Sequence, residues 1–167
     1  DPFEARVSTV GRPHTNWEIK ICREDGSLAN IGETGEVCAR GYGVMLGYWE
    51  DPERTEQTID PEGWLHSGDL GEMDAEGYVK ITGRIKDMII RGGENVYPRE
   101  IEEFLYSHPD IQEVQVFGVP DAKYGEQVAA WVQVRDDSPL TTEEIREYCA
   151  GQITHFKVPR YIKLVDE

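Results

Sequence analysis

The chain has 167 residues, 17 of them basic and 33 acidic, for a net charge of -16. Hydrophobic residues make up 38% of it and mean hydropathy is -0.57, and no apolar run approaches the ~20 residues of a membrane span, so a water-soluble globular chain without a transmembrane segment is expected. The acidic excess argues against nucleic acid, whose binding rests on Lys and Arg neutralising phosphates. A phosphorylated small molecule stays open, because charge reaches only about 8 Å at physiological salt and Arg84, Lys86 and Arg91 form a local basic cluster.

Cys22, Cys38 and Cys149 are far apart in sequence and form no zinc-spaced set, which predicts neither a disulfide framework nor a structural metal and favours a reducing, cytoplasmic setting. The start at Asp1 carries no secretory pattern and no methionine, so a piece of a longer protein is expected.

In chain order, Trp17, Ile19 and Ile21 alternate with Glu18, Lys20 and Cys22, which predicts a half-buried strand. Asp25-Gly26 marks a turn, and a second strand is expected over Glu36 to Arg40. Pro52 opens a short surface helix within Asp51 to Thr58. Strands at Leu70 to Met73 and Tyr78 to Thr82 flank the turn Asp74-Ala75-Glu76-Gly77. Met88 to Ile90 forms a further short strand before Gly92-Gly93. Pro98, the acidic first turn and the shared face of Ile101, Phe104 and Leu105 predict a helix over 98–107. Val114 to Phe117 and Val128 to Val134 alternate as strands around a turn at Pro120-Asp121. Thr141 and Glu144 form a capping box, with Leu140 stapled onto Ile145, for a helix over 142–151; a strand over Tyr161 to Val165 ends the pattern. The fold class is therefore α+β: a β-rich first part, then a small α+β unit, with the boundary near Lys86.

Two segments carry candidate chemistry. In Gly63-Trp64-Leu65-His66-Ser67-Gly68-Asp69 a carboxylate follows a glycine ahead of the expected strand; its two oxygens suit the vicinal hydroxyls of a ribose, or it organises a loop. Arg84, fifteen residues on, is a planar donor for ribose or phosphate oxygens, or a surface arginine. His14, His66, His108 and His155 show no metal or nucleophile constellation with any Cys or Ser, and the four tryptophans read as packing groups. Lys123-Tyr124-Gly125-Glu126 reads as loop structure.

Three stretches occur in one order: GETGEVCARGYGVMLGYW (32–49), GWLHSGDLG (63–71) and GRIKDMIIRGGENVYPREIEEFL (83–105). Together they resemble the adenylate-forming superfamily, and within it the fatty-acyl and related acyl-CoA ligases. The resemblance implies residues 1–85 as the β-rich distal part of a large AMP-binding domain and 86–167 as a small mobile lid domain, incomplete at its end. It implies ATP and CoA as substrates, Mg with the ATP and held mainly by the missing amino-terminal domain, and a carboxylic acid, by family a fatty acid. Asp69 then matches the ribose-binding carboxylate, Arg84 the arginine beside it, Ile81 an apolar position at the nucleotide, and Lys86 the hinge. Gly92, Gly93 and Glu94 match the turn lining the CoA channel. No residue of this chain matches the adenylation lysine, which in the family lies beyond a strand region at Lys157 to Arg160 and past Glu167; the chain alone is expected to be inactive. The alternatives are a peptide-synthetase adenylation domain, an acyl-AMP ligase that serves a carrier protein, or a non-catalytic binding module.

Overall fold

The computed structural model describes residues 2–136 and 138–166. They fall into two compact units that divide between Lys86 and Asp87.

The first unit opens with a short helix α1 (Phe3–Ser8) that buries none of its side chains. Four strands follow as an antiparallel meander in chain order, β1 (Trp17–Cys22), β2 (Gly35–Gly41), β3 (Leu65–Met73) and β4 (Val79–Arg84). Between β2 and β3 lies helix α2 (Pro52–Thr58), with Pro52 in its first turn and the Asp51 carboxylate accepting the Arg54 N–H. Strand alternation sorts the side chains. One face gathers Ile21, Val37 and Val79 with Ile19, Met73 and Ile81 packed against them. The opposite face holds Cys22, Cys38 and Trp64, and the Lys20 and Arg40 cations lie over the Trp64 ring at 4.3 and 4.5 Å.

The second unit is built on a five-stranded sheet of β5 (Ile89–Arg91), β6 (Glu94–Val96), β7 (Ile111–Asp121), β8 (Gly125–Val134) and β9 (Tyr161–Leu164). Its pairs are antiparallel except β8 with β9. Helices α3 (Pro98–Leu105) and α4 (Thr142–Cys149) bury Ile101, Leu105, Ile145 and Cys149 in one core with Ile89, Val96, Val116, Val128 and Val132. The capping box of α4 forms as expected, Thr141 Oγ1 accepting from Glu144 N and Thr141 N donating to the Glu144 carboxylate, and Leu140 and Ile145 share the core.

Differences from the sequence reading have local causes. Helix α1 has no capping hydroxyl and no apolar periodicity to announce it, and β6 is three residues long and owes its place to the turn before it. Strand β7 runs through Pro120 and Asp121, because Pro120 pairs Glu126 without needing an N–H; the turn is Ala122 to Tyr124. Residues 157–160 form a turn and a bend rather than a strand, with the Lys157 ammonium on both oxygens of Glu100 at 2.6 and 2.7 Å. Both long helices stop two residues short of expectation.

Candidate functional site

Asp69 stands inside β3 rather than ahead of a strand, and two irregularities aim it. Against β2, Glu36 pairs Leu70 and Cys38 pairs His66, so Ser67, Gly68 and Asp69 bulge opposite the single residue Val37. Against β4, Leu70 pairs Gly83 but Gly71 pairs Ile81, leaving Thr82 as an extra residue with its buried hydroxyl unpartnered. Bulges re-aim side chains and interrupt the ladder. Here they flank the pair Asp69 and Arg84, which face each other in register and join through Arg84 Nε and Asp69 Oδ1 at 3.0 Å.

That pair lines an open hollow of about 460 Å³ together with Ser67, Gly68, Ile85 and Lys86. Arg84 keeps 59% of its side-chain surface and Asp69 35%, so the ion pair is screened and contributes less than about 1 kcal/mol. A ligand that offers hydroxyls to the carboxylate and an anion to the guanidinium opens it at little cost. Gly68 has φ +73, a conformation that glycine adopts without strain, while a Cβ there would meet nothing within 4 Å; backbone torsion, not space, selects glycine.

The bulge is pinned from below. Ser67 Oγ donates to Val37 O at 2.6 Å and accepts from Asp69 N at 3.0 Å, and the Glu36 carboxylate accepts from Gly68 N at 3.1 Å through Oε1. Glu36 Oε2 lies 2.7 Å from His66 Nδ1, whose other nitrogen is 3.7 Å from Asp60 Oδ2. Burial works against ionisation at Asp60, yet the N–H groups of Trp64 and Glu62 outweigh it and hold its carboxyl below the usual range.

The fold brings His66 to a cysteine, a proximity that the sequence does not announce. Its Nδ1 is 3.6 Å from Cys38 Sγ, and Glu36, Cys38 and His66 place their ligand atoms within 4.8 Å of one another. The cause is the β2 to β3 register, which joins residues 28 apart and has no local signature. The trio is a hydrogen-bonded network as it stands. A 2.7 Å oxygen-to-nitrogen approach is shorter than the about 3.3 Å edge that zinc bonds of about 2.0 to 2.1 Å subtend in a tetrahedron. Burial, with Cys22 and Glu36 alongside, pushes the Cys38 thiol up to about 12, which favours the thiol over the nucleophilic thiolate.

The remaining sequence candidates separate. Ile81 packs with the core-facing residues Ile21, Val37 and Val79 and does not line the hollow. Lys86 is exposed in a single 3-10 turn (Ile85–Asp87) at the hollow's rim. In the second unit, Gly92 and Gly93 have φ +62 and +88 and turn β5 into β6, with Glu94 exposed opposite Arg91. A Cβ on Gly92 would approach the Tyr124 ring to 3.1 Å. Tyr124 also carries the Arg91 and Lys123 cations at 4.7 and 4.8 Å from its ring, and Lys123 holds its hydroxyl below the usual phenol range. Of the tryptophans, Trp64 is a packing group as expected, whereas Trp49 is 89% exposed.

Two family models match: AMP-binding enzyme over residues 1–49, and AMP-binding enzyme C-terminal domain over residues 100–167. YngI of Bacillus subtilis (strain 168), assigned by name to the acyl-CoA synthetases, is 52% identical over all of this chain and 31% of its own length. The chain belongs to the adenylate-forming, AMP-binding enzyme superfamily. Human medium-chain acyl-CoA ligase ACSF2, mitochondrial, is 48% identical over 99% of the chain and 27% of that protein. The crystal structure of ATP-bound MatB from Rhodopseudomonas palustris superposes with a TM-score of 0.92 at 35% identity, over 96% of this chain and 32% of that one. The chain thus spans about a third of the length of the relatives it matches. The residues of this chain that sequence reasoning missed are Glu36, Ser67 and His66, which hold the Asp69 bulge. The Glu36 and Gly68 pairing crosses 32 residues; the only sequence trace is that both fall within the stretches that resemble the family.

Proposed function

We propose that the longer protein carrying this chain is an ATP-dependent acid-thiol ligase that makes an acyl-CoA thioester, with a fatty acid as its acid. The observation that carries the reading is the Asp69 and Arg84 pair at the mouth of a hollow, displayed by two bulges and cheap to open. In this reading the Asp69 carboxylate accepts the two ribose hydroxyls of ATP, and Arg84 turns its guanidinium to ribose or phosphate oxygens. Ile81 backs the nucleotide from the core side.

In the first step an acid carboxylate oxygen bonds to the α-phosphorus of ATP as the α–β P–O bond breaks, and pyrophosphate leaves. In the second the CoA sulfur bonds to the acyl carbon, the acyl C–O bond to AMP breaks, and the thiol proton is lost to solvent. Residues 1–85 supply the distal part of the AMP-binding domain and 86–167 the lid, with Lys86 as the hinge between the two half-reactions. Gly92, Gly93 and Glu94 border the CoA channel, where a side chain on either glycine would obstruct the thiol. ATP enters with Mg²⁺ held mainly by the preceding domain, because the hollow offers one carboxylate, already paired with Arg84, and a hard cation needs more oxygen ligands.

Support for a packing partner comes from Tyr42, Leu46 and Trp49, which are 77%, 104% and 89% exposed within eight residues. That patch suits the rest of the large domain. The three free, buried cysteines suit a reducing compartment such as the cytoplasm, while the ACSF2 relatives are mitochondrial by name.

Pyrophosphate release by the longest natural protein containing this chain tests the reading. It is expected to require both acid and ATP, to yield thioester only with CoA, and to fall at least tenfold in Asp69→Ala. Pyrophosphate without CoA consumption, but with loading of a carrier protein, replaces the acceptor; no release with any acid leaves a binding module.

A further inference from the structure

We infer that Glu36 is a positioning residue for the nucleotide's ribose, acting through Gly68 on Asp69; this rests on the reading of Asp69 given above. Asp69 does not sit on a regular ladder. It ends a three-residue bulge opposite Val37, and an unpinned bulge with a glycine at positive φ has several conformations open to it. Two pins remove that freedom. One is the Ser67 hydroxyl, which ties Val37 O to Asp69 N. The other is Glu36, whose Oε1 accepts the Gly68 N–H next to Asp69.

Glu36 is itself held. Its side chain is only 19% exposed, and its second oxygen faces His66 Nδ1 at 2.7 Å and the Cys38 thiol at 3.9 Å. His66 in turn lies against Asp60, whose Oδ1 is engaged by Glu62 N and Trp64 N at 2.9 Å each. The result is a continuous line of polar contacts, Asp60 to His66 to Glu36 to Gly68, ending at the carboxylate that meets the ligand. A carboxylate accepting a backbone N–H is a charge-assisted bond, stronger than a neutral one. Its placement here orients Asp69 rather than touching substrate. Glu36 therefore contributes to nucleotide affinity only through the two hydroxyls that Asp69 accepts, which separates this role from general support of the sheet.

The test uses the longest natural protein that contains this chain and measures affinity for ATP and for 2′,3′-dideoxy-ATP, which lacks both hydroxyls. Wild type should prefer ATP, and Asp69→Ala should abolish the preference. Glu36→Met fills the space without accepting a hydrogen bond; it should raise the KM for ATP about tenfold with kcat at saturation nearly unchanged, and leave dideoxy-ATP affinity alone. Glu36→Gln keeps an amide oxygen for Gly68 N and should restore the preference. Amide exchange at Gly68 should quicken in Glu36→Met and stay slow in Glu36→Gln. If Glu36→Met does not fold, Glu36→Asp, which withdraws the carboxylate from Gly68, should lose the preference in its place. Glu36→Met, or Glu36→Asp in its place, keeping the wild-type preference or weakening both nucleotides equally overturns the inference. If Asp69→Ala keeps the preference, it is the ribose reading of Asp69 that fails.

Discussion

The two units spend their hydrophobic residues differently. Among the described residues, the second unit closes thirteen buried side chains into one core, with two helices over one sheet. The first unit has two small clusters of three on opposite faces of a single sheet, and leaves Phe3, Val7, Val10, Leu28, Ile31, Tyr42, Leu46 and Trp49 each more than 60% exposed. A sheet apolar on both faces needs cover on both. The second unit therefore has the makings of an independently stable body, as its proposed lid role requires, whereas the first leaves apolar surface uncovered, in keeping with the packing partner proposed for it.

Core truncations should expose that contrast most strongly. Leu105→Ala, fully buried in the second unit, is expected to cost about 2 to 5 kcal/mol. Val37→Ala in the first should cost about 1 to 2 kcal/mol. Native-state hydrogen exchange resolves the two units, and equal losses would break the comparison. Next in size, Gly68→Ala forces a Cβ into positive φ and should cost about 1 to 2 kcal/mol. Its distinguishing mark is a loss of ATP affinity larger than that of Gly77→Ala, which carries the same kind of strain at φ +84 in a remote turn. Thr141→Ala removes a complete capping box and should cost the second unit about 1 kcal/mol, read as a shift in denaturant midpoint with unchanged slope.

The smallest effect is electrostatic and confined to the first unit. The Arg23 guanidinium, joined to both oxygens of Glu33 at 2.6 Å, and the Asn30 N–H hold the Glu33 carboxyl down at about 2 against an ordinary 4.5. A depressed acid stabilises the fold above its unfolded value and loses that contribution as pH falls through the folded one, so the effect fades from about pH 4.5 to pH 2. Glu33→Gln should flatten that part of the acid limb for the first unit and leave exchange in the second unchanged.

Much of the architecture was legible because its signals are local. The alternation from Trp17 to Cys22, the Pro52 and Pro98 helix starts and the Thr141 box each announce an element within a few residues, and each element formed. Asp69 and Arg84 were legible as residue types, and the three ordered stretches gave them a role to test. What escaped depends on register. Nothing near Glu36 says that its carboxylate will reach Gly68, and nothing near Cys38 says that His66 will stand opposite; the single β2 to β3 bulge decides both. The core-facing side of Ile81 was likewise not legible, since it depends on strand parity and on the extra residue Thr82 that follows it.

The most direct test of the central claim is acyl-CoA formation by the longest natural protein that contains this chain, supplied with ATP, CoA and a series of fatty acids, beside its Asp69→Ala variant. Thioester and pyrophosphate are expected from the natural protein with at least one chain length, with at least a tenfold loss in the variant at limiting ATP. Thioester formation that is indifferent to Asp69, or none with any acid, would contradict it.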